Sequence, residues 1–173
     1  MKKTFIVLLF LIVSVNGFSQ KQVNYNLSLN ATLMLNEYFG EYENESFLVP
    51  NALMIRNGFD VKLHKHFSAG INVGFDWHPE LDLLAIPYFI DGKFNISQVD
   101  DDRFFIGAGI GKLIKIGKAF ERGNYYKVGL GYEIGSGDTV GIQLNLDFHQ
   151  KKIANFENGR LNSLSLGLGL FFL

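Results

Sequence analysis

The segment Asn162-Ser163-Leu164-Ser165-Leu166-Gly167-Leu168-Gly169-Leu170-Phe171-Phe172 alternates between apolar residues and small or polar ones. Successive side chains of a β-strand point to opposite faces, so one face of this strand carries leucines and Phe172 while the other carries mostly serine and glycine. An exposed apolar strand edge invites aggregation in water. A closed barrel in a lipid bilayer has no free edge, and lipid covers its apolar face. The segment therefore favours a membrane-spanning strand.

Seven further segments show the same alternation. Their apolar faces lie at 23–35, 53–63, 67–77, 84–96, 104–110, 126–134 and 140–148. A tilted transmembrane strand needs about 9–11 residues, which these segments approach. Long polar connections at 36–50, 113–123 and 150–161 stand between some segments, and short connections stand between the others. The sequence thus predicts an all-β fold: an eight-stranded, antiparallel, up-and-down transmembrane β-barrel.

The N-terminus has the features of a secretory signal peptide at residues 1–19. A basic start is followed by an apolar run at 5–13, and the small residues Gly17 and Ser19 precede the expected cleavage site. The apolar run is shorter than the roughly 20 residues that a spanning helix requires. We therefore expect residues 20–173 to form one domain, the barrel.

Composition excludes several classes of protein. Removing Lys2 and Lys3 with the signal peptide takes the formal net charge from −1 to −3, whereas a nucleic-acid-binding domain has a basic surplus. The chain has no cysteine, which excludes disulfides, thiol catalysis and thiolate metal sites. We expect no nucleic-acid partner, no cofactor and no bound metal.

The alternation fits two barrels, one with its apolar face towards lipid and one with that face towards the lumen, as in soluble secreted lipocalins. The apolar face carries no charge before Lys112 and one internal amide, Asn57. A charge at the bilayer midplane costs about 2–4 kcal/mol, so this pattern suits lipid. Glycines on the other face weaken a solvated strand but leave room in a narrow lumen for side chains from the opposite wall. The transmembrane form is favoured, and a lipocalin-like binding protein is an alternative.

Aromatic residues on the apolar face lie towards the strand ends, where membrane proteins place girdles at the two lipid–water interfaces. The predicted girdles are Phe67, Phe94, Phe104, Tyr132 and Phe172 on the side of the short connections, and Trp77, Tyr126 and Phe148 on the other side.

The predicted inward face carries charges of both signs. They are Arg56, Asp60, Lys62, Asp76, Asp91, Lys93, Lys127, Glu133 and Asp147. The interior of an eight-stranded barrel is just wide enough for side chains to fill. These charges could line an ion path or form a salt-bridged plug, and their near balance in sign favours the plug.

Two Asp-x-His pairs, Asp76 with His78 and Asp147 with His149, fall at the predicted outer rim of the lumen. A carboxylate beside a histidine could orient the imidazole as a base or as a metal ligand. The two pairs belong to opposite walls of the predicted barrel, so we expect them not to meet. A rim hydrogen-bond network is the favoured interpretation.

The chain resembles the small eight-stranded outer-membrane barrels of the OmpA/OmpX type and the outer membrane protein beta-barrel domain families of Gram-negative bacteria. The resemblance rests on Ile86-Pro87-Tyr88-Phe89, Phe104-Phe105-Ile106-Gly107-Ala108-Gly109-Ile110-Gly111, Val128-Gly129-Leu130-Gly131-Tyr132 and the C-terminal segment. It implies a porin-like monomer in the cell outer membrane with a structural or surface-interaction role. The implied partners are outer-membrane lipids and lipopolysaccharide, with periplasmic chaperones and the barrel-assembly machinery during biogenesis.

A second, partial resemblance concerns residues 149–151 and 158–163, which are similar to the C-terminal region of lipid A 3-O-deacylases. These outer-membrane hydrolases use a Ser-His-Glu arrangement with a His-x-Ser motif. Lys151 stands at the serine position here, so the resemblance implies that the nucleophile is missing. The alternation also points His149 into the lumen, whereas the site in that family faces lipid. We predict no catalytic residue, and a hydrolase of this type is an alternative function.

The long connections are further candidates for function. The one at 36–50 combines four glutamates with aromatic residues, so it could bind a cation or a surface partner, or form a solvated cap. The sequence assigns no role to the connections at 113–123 and 150–161.

Overall fold

The computed structural model describes residues 23–35, 48–99, 101–116, 122–135, 139–154 and 159–172. Its strands are β1 (Val23–Leu35), β2 (Leu48–His64), β3 (Phe67–His78), β4 (Leu83–Val99), β5 (Asp102–Lys115), β6 (Gly123–Gly135), β7 (Val140–Ile153) and β8 (Arg160–Phe172). A short 3-10 helix, Pro79–Leu81, joins β3 to β4. No helix in the described segments is long and apolar enough to cross a membrane. The predicted signal peptide at 1–19 lies outside the described residues.

The strands form one closed sheet in which each strand is antiparallel to its neighbours. Strand β8 closes the ring. It pairs with β1 from Tyr25↔Phe172 to Leu33↔Leu164, and with β7 over its whole length. Because β8 has a partner on both sides, the apolar strand that ends the sequence exposes no hydrogen-bonding edge. The predicted eight-stranded up-and-down barrel is confirmed.

The barrel has two different ends. The long-loop end carries the connections at 36–47, 79–82, 116–122 and 154–159, and the short-turn end carries those at 65–66, 100–101 and 136–139.

The strands reach further towards the long-loop end than the sequence predicts. Residues 48–50, 113–115, 150–153 and 160–161 belong to strands, which corrects the predicted connections at 36–50, 113–123 and 150–161. Inward positions at this end hold large apolar residues (Leu113, Ile153 and Leu161), so the alternation of apolar and polar residues stops there although the strands continue.

The outward surface is apolar around the whole ring. Every strand contributes large apolar side chains that are exposed on the isolated chain; Ile71 and Ile90, for example, are 62% and 61% exposed. A lipocalin-like barrel has a polar exterior, so the soluble alternative is wrong. Lipid is the environment that covers such a belt on a closed barrel.

The internal amide on this surface has a local partner. Asn57 Nδ2 donates a hydrogen bond to the Tyr25 hydroxyl at 2.5 Å, and the Tyr25 ring packs against Phe59 and Phe172. One N–H of the Asn57 amide is therefore paired within the barrel wall, which removes part of the cost of a polar group facing lipid.

Candidate functional site: the charged interior of the barrel

Large inward side chains lie over glycines of the neighbouring strand. These directly paired positions are Arg56 with Gly74, Phe105 with Gly131, and Phe171 with Gly141. A Cβ atom added to any of these glycines would collide with its partner's side chain. The strong curvature of a narrow barrel turns inward Cβ atoms of adjacent strands towards each other. The glycines therefore make room for neighbours, and not for the opposite wall as the sequence analysis expected.

A buried polar network, which we name the Asp76 cluster, crosses the lumen near the long-loop end. Its members are Arg56, Asp76, His78, Tyr125, His149 and Lys151. Asp76 on β3 is hydrogen-bonded by Arg56 on β2, and its Oδ2 lies 2.7 Å from Lys151 Nζ on β7. Lys151 Nζ is also 2.6 Å from His78 Nε2. Because β3 and β7 are opposite in the ring, Lys151 spans the lumen.

The Asp76 cluster extends from Arg56 through Tyr125 to His149. Arg56 Nη2 donates to the Tyr125 hydroxyl at 3.3 Å, and this hydroxyl is 2.6 Å from His149 Nδ1. His149 Nε2 is in turn 2.7 Å from Ser165 Oγ. A continuous set of polar contacts thus joins β3 to β8 through the interior.

These contacts correct the expected position of the Asp-x-His pairs and show how the two pairs are linked. Asp76, His78, Asp147 and His149 are all buried and not at an open rim. The two pairs are linked through intervening side chains, because Lys151 and Arg56 connect the β3 pair to Tyr125 and His149. The sequence analysis left Lys151 in a loop, so the side chain that bridges the two walls was missed.

A second network, the Lys93 cluster, lies near the short-turn end and consists of Asp60, Lys93, Arg103 and Glu133. Lys93 Nζ on β4 lies 2.5 Å from Asp60 Oδ2 on β2 and 3.5 Å from Glu133 Oε1 on β6. Arg103 Nη2 on β5 lies 2.9 Å from Glu133 Oε2. The Lys93 ammonium also sits over the Phe105 ring, 5.1 Å from its centroid. Sequence reasoning missed Arg103 because it lies at the end of its strand.

Between the two clusters, Lys127 is shared by two carboxylates. Its Nζ is 4.0 Å from Asp91 Oδ2 and 3.7 Å from Asp147 Oδ2. Asn72 Nδ2 donates to Asp91 Oδ1 at 2.9 Å. Lys62, the remaining charge predicted for the interior, is partly exposed and makes no ion pair with any described residue.

An apolar layer covers the Asp76 cluster on the long-loop side. Buried Leu83, Ala85, Leu113, Ile153 and Leu161 pack together with Phe89 and the Tyr125 ring. We call the first five residues the apolar seal. The seal was not predicted, because apolar residues at inward positions interrupt the alternation. Strand parity, continued past residue 110 on β5, past residue 148 on β7 and back from residue 162 on β8, would have placed Leu113, Ile153 and Leu161 inside.

Little space is left in the lumen. A cavity of about 30 Å³ lies among the polar side chains of Asn72, Asp91, Lys127 and Asp147. This volume has room for about two water molecules. In the part of the chain that the structure describes, no group of three or more His, Asp or Glu residues could hold a metal ion.

The predicted girdle residues all lie on outward positions of their strands. Phe67 is the direct partner of Phe94, and Phe104 is the direct partner of Tyr132. Tyr126 is partly covered by Lys152, whose Nζ is 5.1 Å from the ring centroid. Their role at the membrane interface stays a prediction.

The histidine and serine positions of the motif that resembles lipid A deacylases, His149 and Lys151, point away from lipid. His149, Lys151 and Ser163 are buried inside the barrel. The serine that contacts His149 is Ser165, which is itself 1% exposed. This interior serine–histidine contact is not open to an acyl chain in the bilayer.

Comparisons with known proteins agree with the architecture. No protein-family model matches the chain, and no curated protein matches it. Neisserial surface protein A superposes with a TM-score of 0.67 at 8% sequence identity, over 89% of this chain and 99% of that one. The N-terminal β-barrel domain of Pseudomonas aeruginosa OprF superposes with a TM-score of 0.56 at 11% identity, over 88% of this chain and 98% of that one. The chain therefore has the fold of the small eight-stranded outer-membrane β-barrels.

Proposed function

We propose that this protein is an integral barrel of the outer membrane with a closed interior, and that it serves a structural or surface-interaction role. It presents its long loops to the surroundings of the cell and forms neither a pore nor a catalytic site. The observation that carries the proposal is the filled lumen.

Three layers of side chains support a closed interior. The Asp76 cluster connects opposite walls, the Lys93 cluster connects β2, β4 and β6, and the apolar seal covers the long-loop end. An ion crossing the barrel would have to separate buried pairs and lose its own water, and both steps are costly in a low-dielectric interior. The cavity of about 30 Å³ among Asn72, Asp91, Lys127 and Asp147 is too small for a hydrated ion.

The same layers favour a role in the architecture of the envelope over turnover of a substrate. A catalytic site needs room for its substrate, whereas the buried histidines here contact protein side chains. The partners that fit this proposal are outer-membrane lipids and lipopolysaccharide. The closed ring leaves no strand edge that would require a second copy, which fits a monomer.

Single-channel recording in planar bilayers tests the closed interior. We expect the purified, folded protein to show no steady conductance above the background of the bilayer. A large porin reconstituted in the same membranes is the positive control for insertion. Steady open channels from the unmodified protein would contradict the proposal.

Membrane fractionation with a heat-modifiability gel tests the location. We expect the protein in the outer-membrane fraction, and we expect its band to shift when the sample is boiled, because folded barrels resist detergent until they are heated. Recovery in the soluble periplasm without such a shift would refute the assignment.

A further inference from the structure

Cations gather on one side of the outward surface at the long-loop end. Lys112 on β5, Lys152 on β7 and Arg160 at the start of β8 are all exposed and outward-facing, and Arg122 is exposed just before β6. The strand register aligns three of them with Asn124 of β6, because Lys112 pairs with Asn124, Asn124 with Lys152, and Lys152 with Arg160. We name Lys112, Asn124, Lys152 and Arg160 the basic row. Neighbouring strands are about 4.8 Å apart, so the row spans roughly 15 Å.

The residues that the structure describes supply no anion for this row. No described carboxylate forms an ion pair with Lys112, Arg122, Lys152 or Arg160, whereas Arg56, Lys93 and Lys151 of the interior all have carboxylate partners. Lys152 and Arg160 are direct cross-strand partners, and like charges in that position destabilise a sheet. An external anion between them would turn this repulsion into attraction.

The row borders a concavity of suitable size. A depression of about 700 Å³ is lined by Lys112, Arg122, Asn124 and Lys152, with Tyr88 at its edge. Pockets for small ligands usually measure about 300–1,000 Å³. The depression combines cations, an amide and an aromatic ring, which together can bind a charged headgroup.

The position of the basic row along the barrel axis indicates that the anion comes from the membrane. Ile110, two residues before Lys112 on the same face of β5, is 54% exposed and belongs to the lipid-covered belt. On β7 and β8 the outward residues change from apolar to polar before Lys152 and Arg160, whereas on β5 the apolar face continues past Lys112 to Ile114, which is 49% exposed. The row therefore lies at the long-loop margin of the apolar surface, and its long side chains can extend along that surface to the polar interface. On the β2–β4 side of the same end, outward strand residues such as Leu53, Trp77 and Ile86 are apolar, and the exposed Asp82 follows in the β3–β4 connection.

We propose that the basic row binds the phosphate of a phosphorylated lipid headgroup in the leaflet at the long-loop end. Guanidinium and ammonium groups form charge-assisted hydrogen bonds with phosphate oxygens. The inference rests on the membrane location in the proposed function, and it adds a specific lipid site on one side of the barrel.

Two triple variants test the site. The neutral variant is Lys112→Gln/Lys152→Gln/Arg160→Gln, and the control variant Lys112→Arg/Lys152→Arg/Arg160→Lys keeps every charge. The mature protein is folded in uncharged detergent micelles and titrated with phosphorylated lipid A, and bound lipid is measured by native mass spectrometry. A cation near an anionic surface contributes about fivefold in affinity, so we expect the neutral variant to lose on the order of a hundredfold. The charge-keeping variant should bind within a few-fold of the unmodified protein.

Two further titrations identify the ligand. Lipid A without phosphate should bind the unmodified protein as weakly as phosphorylated lipid A binds the neutral variant. Inorganic phosphate at the same concentration should not displace phosphorylated lipid A. Equal binding by the neutral variant and the unmodified protein would overturn the proposal, as would full displacement by inorganic phosphate, which would indicate a site for the free ion.

Folding is checked by the gel shift in the same samples. If the neutral triple variant does not shift, Lys152→Gln replaces it, with an expected loss of about fivefold and Lys152→Arg as its control. Failure of the unmodified protein to fractionate with the outer membrane would refute the proposed function. Correct fractionation with unchanged lipid binding in the neutral variant would refute this inference alone.

Discussion

The Asp76 cluster and the Lys93 cluster both connect walls of the barrel through buried ion pairs, but they divide charge differently. In the Asp76 cluster, Arg56 and Lys151 share one carboxylate that is completely buried. In the Lys93 cluster, two cations and two carboxylates alternate, and Glu133 contacts both Lys93 and Arg103. The first cluster also lies against the apolar seal, where water cannot replace a lost partner.

This difference teaches how a narrow lumen can tolerate charge. Where the two signs balance, the loss of one partner leaves at most one charge without compensation, and the cost is moderate. Where one carboxylate serves two cations, its loss leaves two buried charges without compensation, and that cost is large. Stability should therefore depend on Asp76 more than on any single member of the Lys93 cluster.

The largest expected effect is that of Asp76→Asn. This change removes the one described carboxylate within ion-pair distance of Arg56 and Lys151, so we expect the free energy of unfolding to fall by about 3–5 kcal/mol. Urea unfolding of the barrel refolded in lipid vesicles, followed by the fluorescence of Trp77, measures the change.

Glu133→Gln is the matched control in the other cluster. Lys93 keeps Asp60 in that variant, so its loss of stability should be smaller, about 1–2 kcal/mol. Equal losses in the free energy of unfolding for Asp76→Asn and Glu133→Gln would mean that the different ratios of carboxylates to cations in the two clusters have no consequence for stability.

Lys93→Met should have an intermediate effect. It leaves Asp60 without its cation, but Glu133 retains Arg103, so we expect a loss of about 2 kcal/mol in the free energy of unfolding. The double variant Lys93→Met/Asp60→Asn should recover part of this loss, because it also removes the uncompensated carboxylate. Strictly additive losses in this double-mutant cycle would show that the two side chains do not interact.

The smallest expected effect is that of Gly107→Ala beside the Lys93 cluster, and Gly74→Ala beside the Asp76 cluster is its comparison. A Cβ at Gly74 would collide with the Arg56 side chain, which is held by Asp76, so Gly74→Ala should cost about 1–3 kcal/mol. A Cβ at Gly107 would lie at an ordinary 3.8 Å from Lys93 Cγ, so Gly107→Ala should change stability by less than about 0.5 kcal/mol. The same urea titration compares the two variants. A larger loss in the free energy of unfolding for Gly107→Ala than for Gly74→Ala would contradict the packing described for these glycines.

Much of the architecture was predictable from the sequence. The residues that point outward from each strand follow from period-two alternation, which is a local property of the chain. The prediction was wrong at the long-loop end, where Leu113, Ile153 and Leu161 are apolar but point inward. An apolar side chain suits lipid and a filled lumen equally well, so alternation cannot assign these residues to a face.

The interior network was only partly predictable. The sequence analysis named most of its charges, since charges on an otherwise apolar strand must point away from lipid. It missed Lys151, Arg103 and Tyr125, which lie near strand ends or carry a ring that fits either face. It also could not say which charges pair, because partners such as Asp76 and Lys151 are far apart in the chain.

The sequence by itself determined that eight amphipathic strands form and which of their faces lipid covers, because those properties depend on neighbours two residues apart. Only the tertiary structure decided that Lys151 reaches Asp76 and His78, and that Lys152 lies beside Arg160. The first contact depends on the width of the closed ring, and the second depends on the register between β7 and β8. The first is a property of the whole sheet, because the width of the ring is set when the last strand pairs with the first, and the second is a property of two adjacent strands.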